Sequence, residues 1–166
     1  MFMCKPEKNK KQSTATIIIF ILIALIFAIL SAISPAYKWF FQLLFIAATA
    51  VVIFVLTRYT MAQWIYRVEG STFEVIKQSG SKSTTVCSLE LAESLLLIDE
   101  VSFRRGVDKD KYDGVIHKQF NYCQNLNADA YCYVFKFQDR NFVMRFEPNE
   151  AFIQLLNEAI AESKKK

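Results

Sequence analysis

Three hydrophobic patterns follow one another along this chain. The first has no polar face at all. No residue is charged between Gln12 and Tyr37, and none is charged between Trp39 and Thr57. Residues 15–33 are mostly Ile, Leu, Phe and Ala, with an unbroken apolar run from Ile17 to Leu22. A hydrocarbon core about 30 Å thick needs roughly 20 apolar helical residues. The second run, 39–57, reaches roughly 28 Å at about 1.5 Å per residue. A helix on the surface of a soluble fold carries one apolar stripe, whereas these runs are apolar all round. The linker Ser34-Pro35-Ala36-Tyr37-Lys38 allows only a reversal, since Pro35 cannot continue a helix without losing a backbone bond. The pattern predicts a transmembrane hairpin over 12–58, with helices at 15–34 and 38–57, behind a basic tail over 1–11.

The second pattern has period two. Alternation over 63–68, 72–77, 84–89, 94–99 and 117–123 predicts short strands, separated by turns at Glu69-Gly70-Ser71 and Gln78-Ser79-Gly80-Ser81. The charged stretch from Arg104 to Gly114 reads as an exposed loop. Tyr131, Tyr133, Phe135 and Phe137 share one strand face, with Cys132, Val134 and Lys136 on the other. After Gln138-Asp139-Arg140-Asn141 come Phe142, Met144 and Phe146, which predicts an antiparallel hairpin with an aromatic core face.

The third pattern is helical. Phe152, Leu155, Leu156, Ala159 and Ile160 fall at i, i+3, i+4, i+7 and i+8. Pro148 suits the first helical position, and the lysines from 164 suit the negative end of the dipole. The expected fold class is α+β: a two-helix transmembrane hairpin, then about seven antiparallel strands over 59–166 closed by a C-terminal helix at 148–163.

Charge places these parts. Four lysines precede the first span, Lys38 sits in the hairpin loop, and Arg58 and Arg67 follow the second. The positive-inside rule puts both termini in the cytoplasm, with Tyr37 and Trp39 at one interface and Tyr59 and Trp64 at the other. A cleaved signal peptide is the rival reading. The first run is too long for a 7–15-residue signal core, and Pro35 follows the small-residue site Ala32-Ile33-Ser34. The formal net charge of +4 is front-loaded: from Arg58 onward there are fifteen basic and fifteen acidic residues. A domain that grips nucleic acid shows a basic patch, so nucleic acid is not an expected partner.

The order of elements resembles the pleckstrin-homology-like fold, and in particular small bacterial membrane proteins with two N-terminal transmembrane helices and a cytoplasmic domain of that kind. The residues that carry the resemblance are Trp64-Ile65-Tyr66-Arg67-Val68, the hairpin over 131–146, and the Phe146-Glu147-Pro148 lead into the helix. It covers about residues 60–163. It implies seven antiparallel strands and a closing helix, in a group mostly of unknown function. Members of the fold that bind phosphoinositides place several basic residues at the first strand turn. Only Lys77 and Lys82 stand there in this chain, a departure from that pattern.

Chemistry is sparse. Neither hairpin span holds an ionisable residue, so a passive anchor is expected rather than a conduit. Ala47, Ala48 and Ala50 offer a small-residue packing face. Cys4, Cys87, Cys123 and Cys132 match no zinc spacing and read as small hydrophobes, with Cys4 also placed for acylation. His117 and Cys123, in one predicted strand, stand roughly 20 Å apart, too far for a nucleophile pair. Asp108, Asp110 and Asp113 lack the glycine and terminal glutamate of an EF-hand. No catalytic residue, metal, cofactor or small-molecule substrate is therefore expected. Loops on a rigid sheet often carry recognition. The amide- and aromatic-rich loop 121–131 is the candidate here, through Asn121, Tyr122, Gln124, Asn125, Asn127, Asp129 and Tyr131. The expected function is a non-enzymatic module at the plasma membrane whose partners are the lipid bilayer and a protein or a second copy of itself. Lipid-headgroup sensing is the alternative.

Overall fold

A computed structural model describes residues 1–112 and 114–165. The chain forms two compact units. One holds Lys8–Ala62, and the other holds Met1–Glu7 with the chain from Gln63 onward.

The first unit contains α1 (Lys10–Ile33) and α2 (Lys38–Val55), joined through a short 3-10 turn at Pro35–Tyr37. Both are long and apolar enough to cross a membrane, and only 11% of each apolar window is buried. Ile18, Leu22 and Ile29 are all more than half exposed, so two helices side by side cannot cover this surface themselves. α1 begins at Lys10, ahead of the predicted start, because Asn9 caps it by accepting the Gln12 N–H at 3.2 Å. An apolar span and a helix are different things, and here the polar first turn belongs to the helix alone. Hydroxyls in α2 and in the π-helical turn that follows it (Leu56–Met61) return to the backbone: Thr49 donates to the Phe45 carbonyl at 2.8 Å and Thr57 to that of Ile53 at 2.9 Å. No stranded donor is left at either threonine. Of the predicted alanine face only Ala48 is buried, together with Ala24 of α1, while Ala47 and Ala50 are exposed.

The second unit is α+β. One sheet has the order β1-β2-β3-β4, with β1 (Phe2–Cys4), β2 (Ala62–Glu69), β3 (Thr72–Ser79) and β4 (Lys82–Glu90). The other has the order β5-β7-β8-β6, with β5 (Ser94–Asp99), β6 (Ile116–Asn121), β7 (Tyr131–Phe137) and β8 (Arg140–Phe146). Gly70 and Gly80 take φ +59 in the tight turns of the first sheet. Gln138 and Asp139 both take positive φ between β7 and β8, the mirror-image turn that matches strand twist.

Three features differ from the sequence-based expectation. Phe2–Cys4 lies in the stretch expected to be a tail, yet it pairs antiparallel with Val68, Arg67 and Tyr66. Three residues carry too little periodicity to predict a strand. The sheets are not wholly antiparallel, because β6 runs parallel to β8. The charged stretch expected as an exposed loop is exposed from Arg104 to Lys111, but Tyr112, 8% exposed, turns inward and stacks at 6.2 Å on Phe103 of the preceding α3 (Glu100–Arg104). Leu96, Cys132, Val134 and Val143 pack with Tyr112 into a small second core on the outer face of the second sheet.

The main core lies between the sheets. Phe73 sits 5.4 Å from Phe146 and 5.5 Å from Tyr133, and Tyr66 meets Phe146 edge-on at 5.3 Å. Such tilted and edge-on pairs suit the ring quadrupoles. α4 (Glu150–Ser163) closes the core with Phe152, Leu156 and Ile160, as its stripe predicted. It starts at Glu150 rather than 148 because Asn149 caps it, accepting the Phe152 N–H at 2.9 Å. Leu156 is fully buried. Leu156→Ala is expected to cost about 2–5 kcal/mol through transfer and cavity terms. Gln154→Ala, on the exposed face, should stay within about 0.5 kcal/mol. Denaturant unfolding of the detergent-solubilised chain, followed by fluorescence, measures both.

Candidate functional site

The parallel edge strand dictates a crossover. β6 and β7 flank β8 on opposite sides, so the connection 122–130 must pass the C-terminal end of β8. Glu147 follows β8 directly and pins that passage. Its Oε2 accepts the Gln124 N–H at 3.1 Å and the Asn125 N–H at 3.0 Å, and its Oε1 accepts from Asn125 Nδ2 at 2.7 Å. A carboxylate with three donors forms the strong, charge-assisted kind of bond.

The crossover is also tied to the first sheet. Tyr66 is fully buried, and burial pushes its phenol well above the ordinary range. Its hydroxyl donates to the Tyr122 carbonyl at 3.0 Å and accepts the Glu147 N–H at 3.1 Å. β1 ends before Pro6, which has no N–H to continue a ladder. Gln124 then supplies a partner for β2: its Oε1 accepts the Trp64 N–H at 2.8 Å. Asn125 Nδ2 reaches the Glu7 carbonyl at 2.8 Å, and Asn121 Oδ1 accepts the Cys123 N–H at 3.0 Å.

The predicted recognition loop is thus divided. Asn121, Tyr122, Gln124 and Asn125 are spent inside the fold. Asn127, Asp129 and Tyr131 line an open recess of about 540 Å³ with Asp99, Glu100, Arg104 and Arg145. Glu100 accepts from Arg104 Nε at 2.9 Å and from Arg145 at 2.5 Å, so opposite charges largely compensate one another there. Asp99 caps α3, and the hydroxyl and N–H of Ser102 hold its carboxyl below the usual range.

A second recess is apolar and was not legible in the sequence. Cys87, Ser88 and Leu89 of β4, Phe120 of β6, Phe135 and Phe137 of β7, and Phe142 of β8 line an open cleft of about 270 Å³. Phe142 is its hub, stacked on Phe135 at 5.7 Å and Phe120 at 6.2 Å and meeting Phe137 at 6.3 Å. Phe137, expected in the core, is 50% exposed. Its strand face is aromatic throughout, and only the three-dimensional end of the sandwich separates it from Phe135.

The candidate reactive groups are not assembled. His117 faces Phe142 at 5.4 Å and Arg140 at 3.3 Å, whereas Cys123 lies beyond the end of β6 and is 1% exposed. Burial pushes the Cys87 thiol up to about 11 and the Cys132 thiol up to about 12. Both are protonated and poorly nucleophilic at neutral pH. Cys4 is buried as well, which hides it from acylation in this fold. Asp108 pairs with Lys111 at 3.1 Å, and Asp113 lies outside the described residues. Among the described residues no group of three or more His, Cys, Asp or Glu side chains could hold a metal ion.

Comparison with protein-family models, with curated proteins and with solved structures finds no match to this chain.

Glu147→Ala strips the acceptor from three donors and is expected to cost about 2–4 kcal/mol. Hydrogen exchange should show the Gln124 and Asn125 amides losing protection first. Asp129→Ala, at the exposed recess, should change stability by under about 0.5 kcal/mol.

Proposed function

We propose that this chain is a membrane-anchored interaction module. α1 and α2 cross the bilayer as a hairpin, and the α+β unit works at the cytoplasmic face by docking a protein or a second copy of itself. The observation that carries the docking role is the aromatic cleft. Exposed apolar concavities rimmed by polar groups mark interaction sites. This one holds a half-exposed phenylalanine on a rigid hairpin. The buried thiols and the charge-compensated recess support binding rather than chemistry.

The anchor rests on connectivity. β1 precedes α1 and β2 follows α2, yet they pair in one sheet. A crossing by α1 must then be reversed by α2. The lysines before α1 favour the cytoplasm for both flanks. A leader cleaved after α1 would also remove β1, which argues for the anchor over the signal peptide.

The pleckstrin-homology-like resemblance remains part of this proposal. Two packed sheets closed by a C-terminal helix support it, while the parallel β6 and the strand ahead of the hairpin depart from its pattern. A photo-crosslinking phenylalanine at position 137 should give a discrete higher-mass adduct in native membranes, and the same group at Gln154 should not. Equal crosslinking at both positions, or none at 137, contradicts the module.

A further inference from the structure

We propose that the aromatic cleft is the docking groove for an extended peptide segment with one bulky apolar side chain and acidic residues beside it. The inference rests on the interaction-module reading and names the chemistry of its partner.

Size comes first. About 270 Å³ lies just under the roughly 300–1,000 Å³ of small-molecule sites. It suits one or two large side chains set on a stacked aromatic floor, the usual form of an interface anchor. The rims come next. β4 is the last strand of one sheet and β6 the last strand of the other. Among the described residues no strand pairs with either outer edge, so each presents main-chain donors and acceptors. An extended polypeptide can pair with such an edge, and a hydrocarbon chain cannot. From 83 to 89, β4 has neither charge nor proline, the usual guards of an exposed edge. Its one irregularity is an extra residue at Val86, between the partners of Val75 and Ile76. Such a bulge bends the strand and re-aims its side chains. Here Cys87 opposes the buried Val75 and turns towards the cleft, while Thr85 opposes Ile76 on the other face.

Charge then selects the flanks. Lys118 Nζ stands 5.1 Å over the Phe120 ring, and Arg140 reaches His117 at the Phe142 edge. The nearby Lys136 is matched by Asp139 at 3.0 Å. Lys118 and Arg140 have no carboxylate partner among the described residues. From Arg58 onward the chain is neutral overall, so this excess is local to the cleft.

The test displays a library of random nine-residue peptides against the full chain in nanodiscs, with empty nanodiscs as the control. Enriched sequences should carry an aromatic or leucine anchor with Asp or Glu within three positions. Phe137→Ser should reduce their binding at least tenfold. Lys118→Glu, an exposed change that spares the core, should shift selection towards Lys and Arg flanks. Absence of enrichment, or enrichment indifferent to both variants, overturns the proposal. Two other results also overturn it. One is a dimer in sedimentation that Phe137→Ser dissolves while no peptide is enriched, which makes the cleft a self-interface. The other is displacement of a fluorescent fatty acid by Phe137→Ser while no peptide is enriched, which makes it an acyl groove. If the crosslinked adduct at position 137 forms without peptide enrichment, the module stands and the peptide falls. If both fail, both fall.

Discussion

Phe2, Met3 and Cys4 pair with Val68, Arg67 and Tyr66 across nearly the whole length of the apolar hairpin. This short ladder decides how the rest of the molecule can be arranged. It recruits the segment before α1 into the sheet that begins after α2. The two helices are therefore inserted, in sequence, within one folded unit, between β1 and β2. Loop closure over such a distance costs entropy only slowly with length, and the helices themselves shorten the effective gap. Cys4 and Tyr66 both lie in the main core, so the ladder is held by burial as well as by backbone bonds.

A second constraint follows from the parallel edge strand. Placing β6 beside β8 leaves a connection that must cross the end of the sheet, where backbone groups have no ladder partners. Glu147 and Tyr66 satisfy them from two other segments, and Gln124 in return accepts the Trp64 N–H of β2. Because buried polar groups must find partners, the crossover is structural along most of its length. The aromatic cleft stays open at the mouth between β4 and β6, where, among the described residues, no helix closes the sandwich as α4 closes its main core.

Local periodicity carried much of the architecture. The uncharged runs gave both helices, and alternation at 63–68 and 131–146 gave the strands that hold Tyr66, Tyr133 and Phe146. The stripe of Phe152, Leu156 and Ile160 gave the closing helix. Long-range pairing was invisible to the same reading. Nothing in Phe-Met-Cys announces a strand, and nothing in 117–121 announces a parallel neighbour. The amides and aromatics of the loop 121–131 suit recognition, and they equally suit bridging orphan backbone groups. Solvent and protein compete for such side chains, and only the fold shows which wins. The cleft is not legible in the sequence because its lining comes from four strands, each of which looks like ordinary core.

Topology offers the most direct test. Single cysteines at Phe2, Ala36 and Ser81 can be probed with a membrane-impermeant maleimide in sealed right-side-out vesicles, native cysteines being replaced by serine or alanine. A hairpin whose flanks share one cytoplasmic domain predicts labelling at position 36 alone, with positions 2 and 81 reacting only after the membrane is opened. Labelling of position 2 but not 81 in sealed vesicles would place the two flanks on opposite sides, and β1 could not then pair with β2.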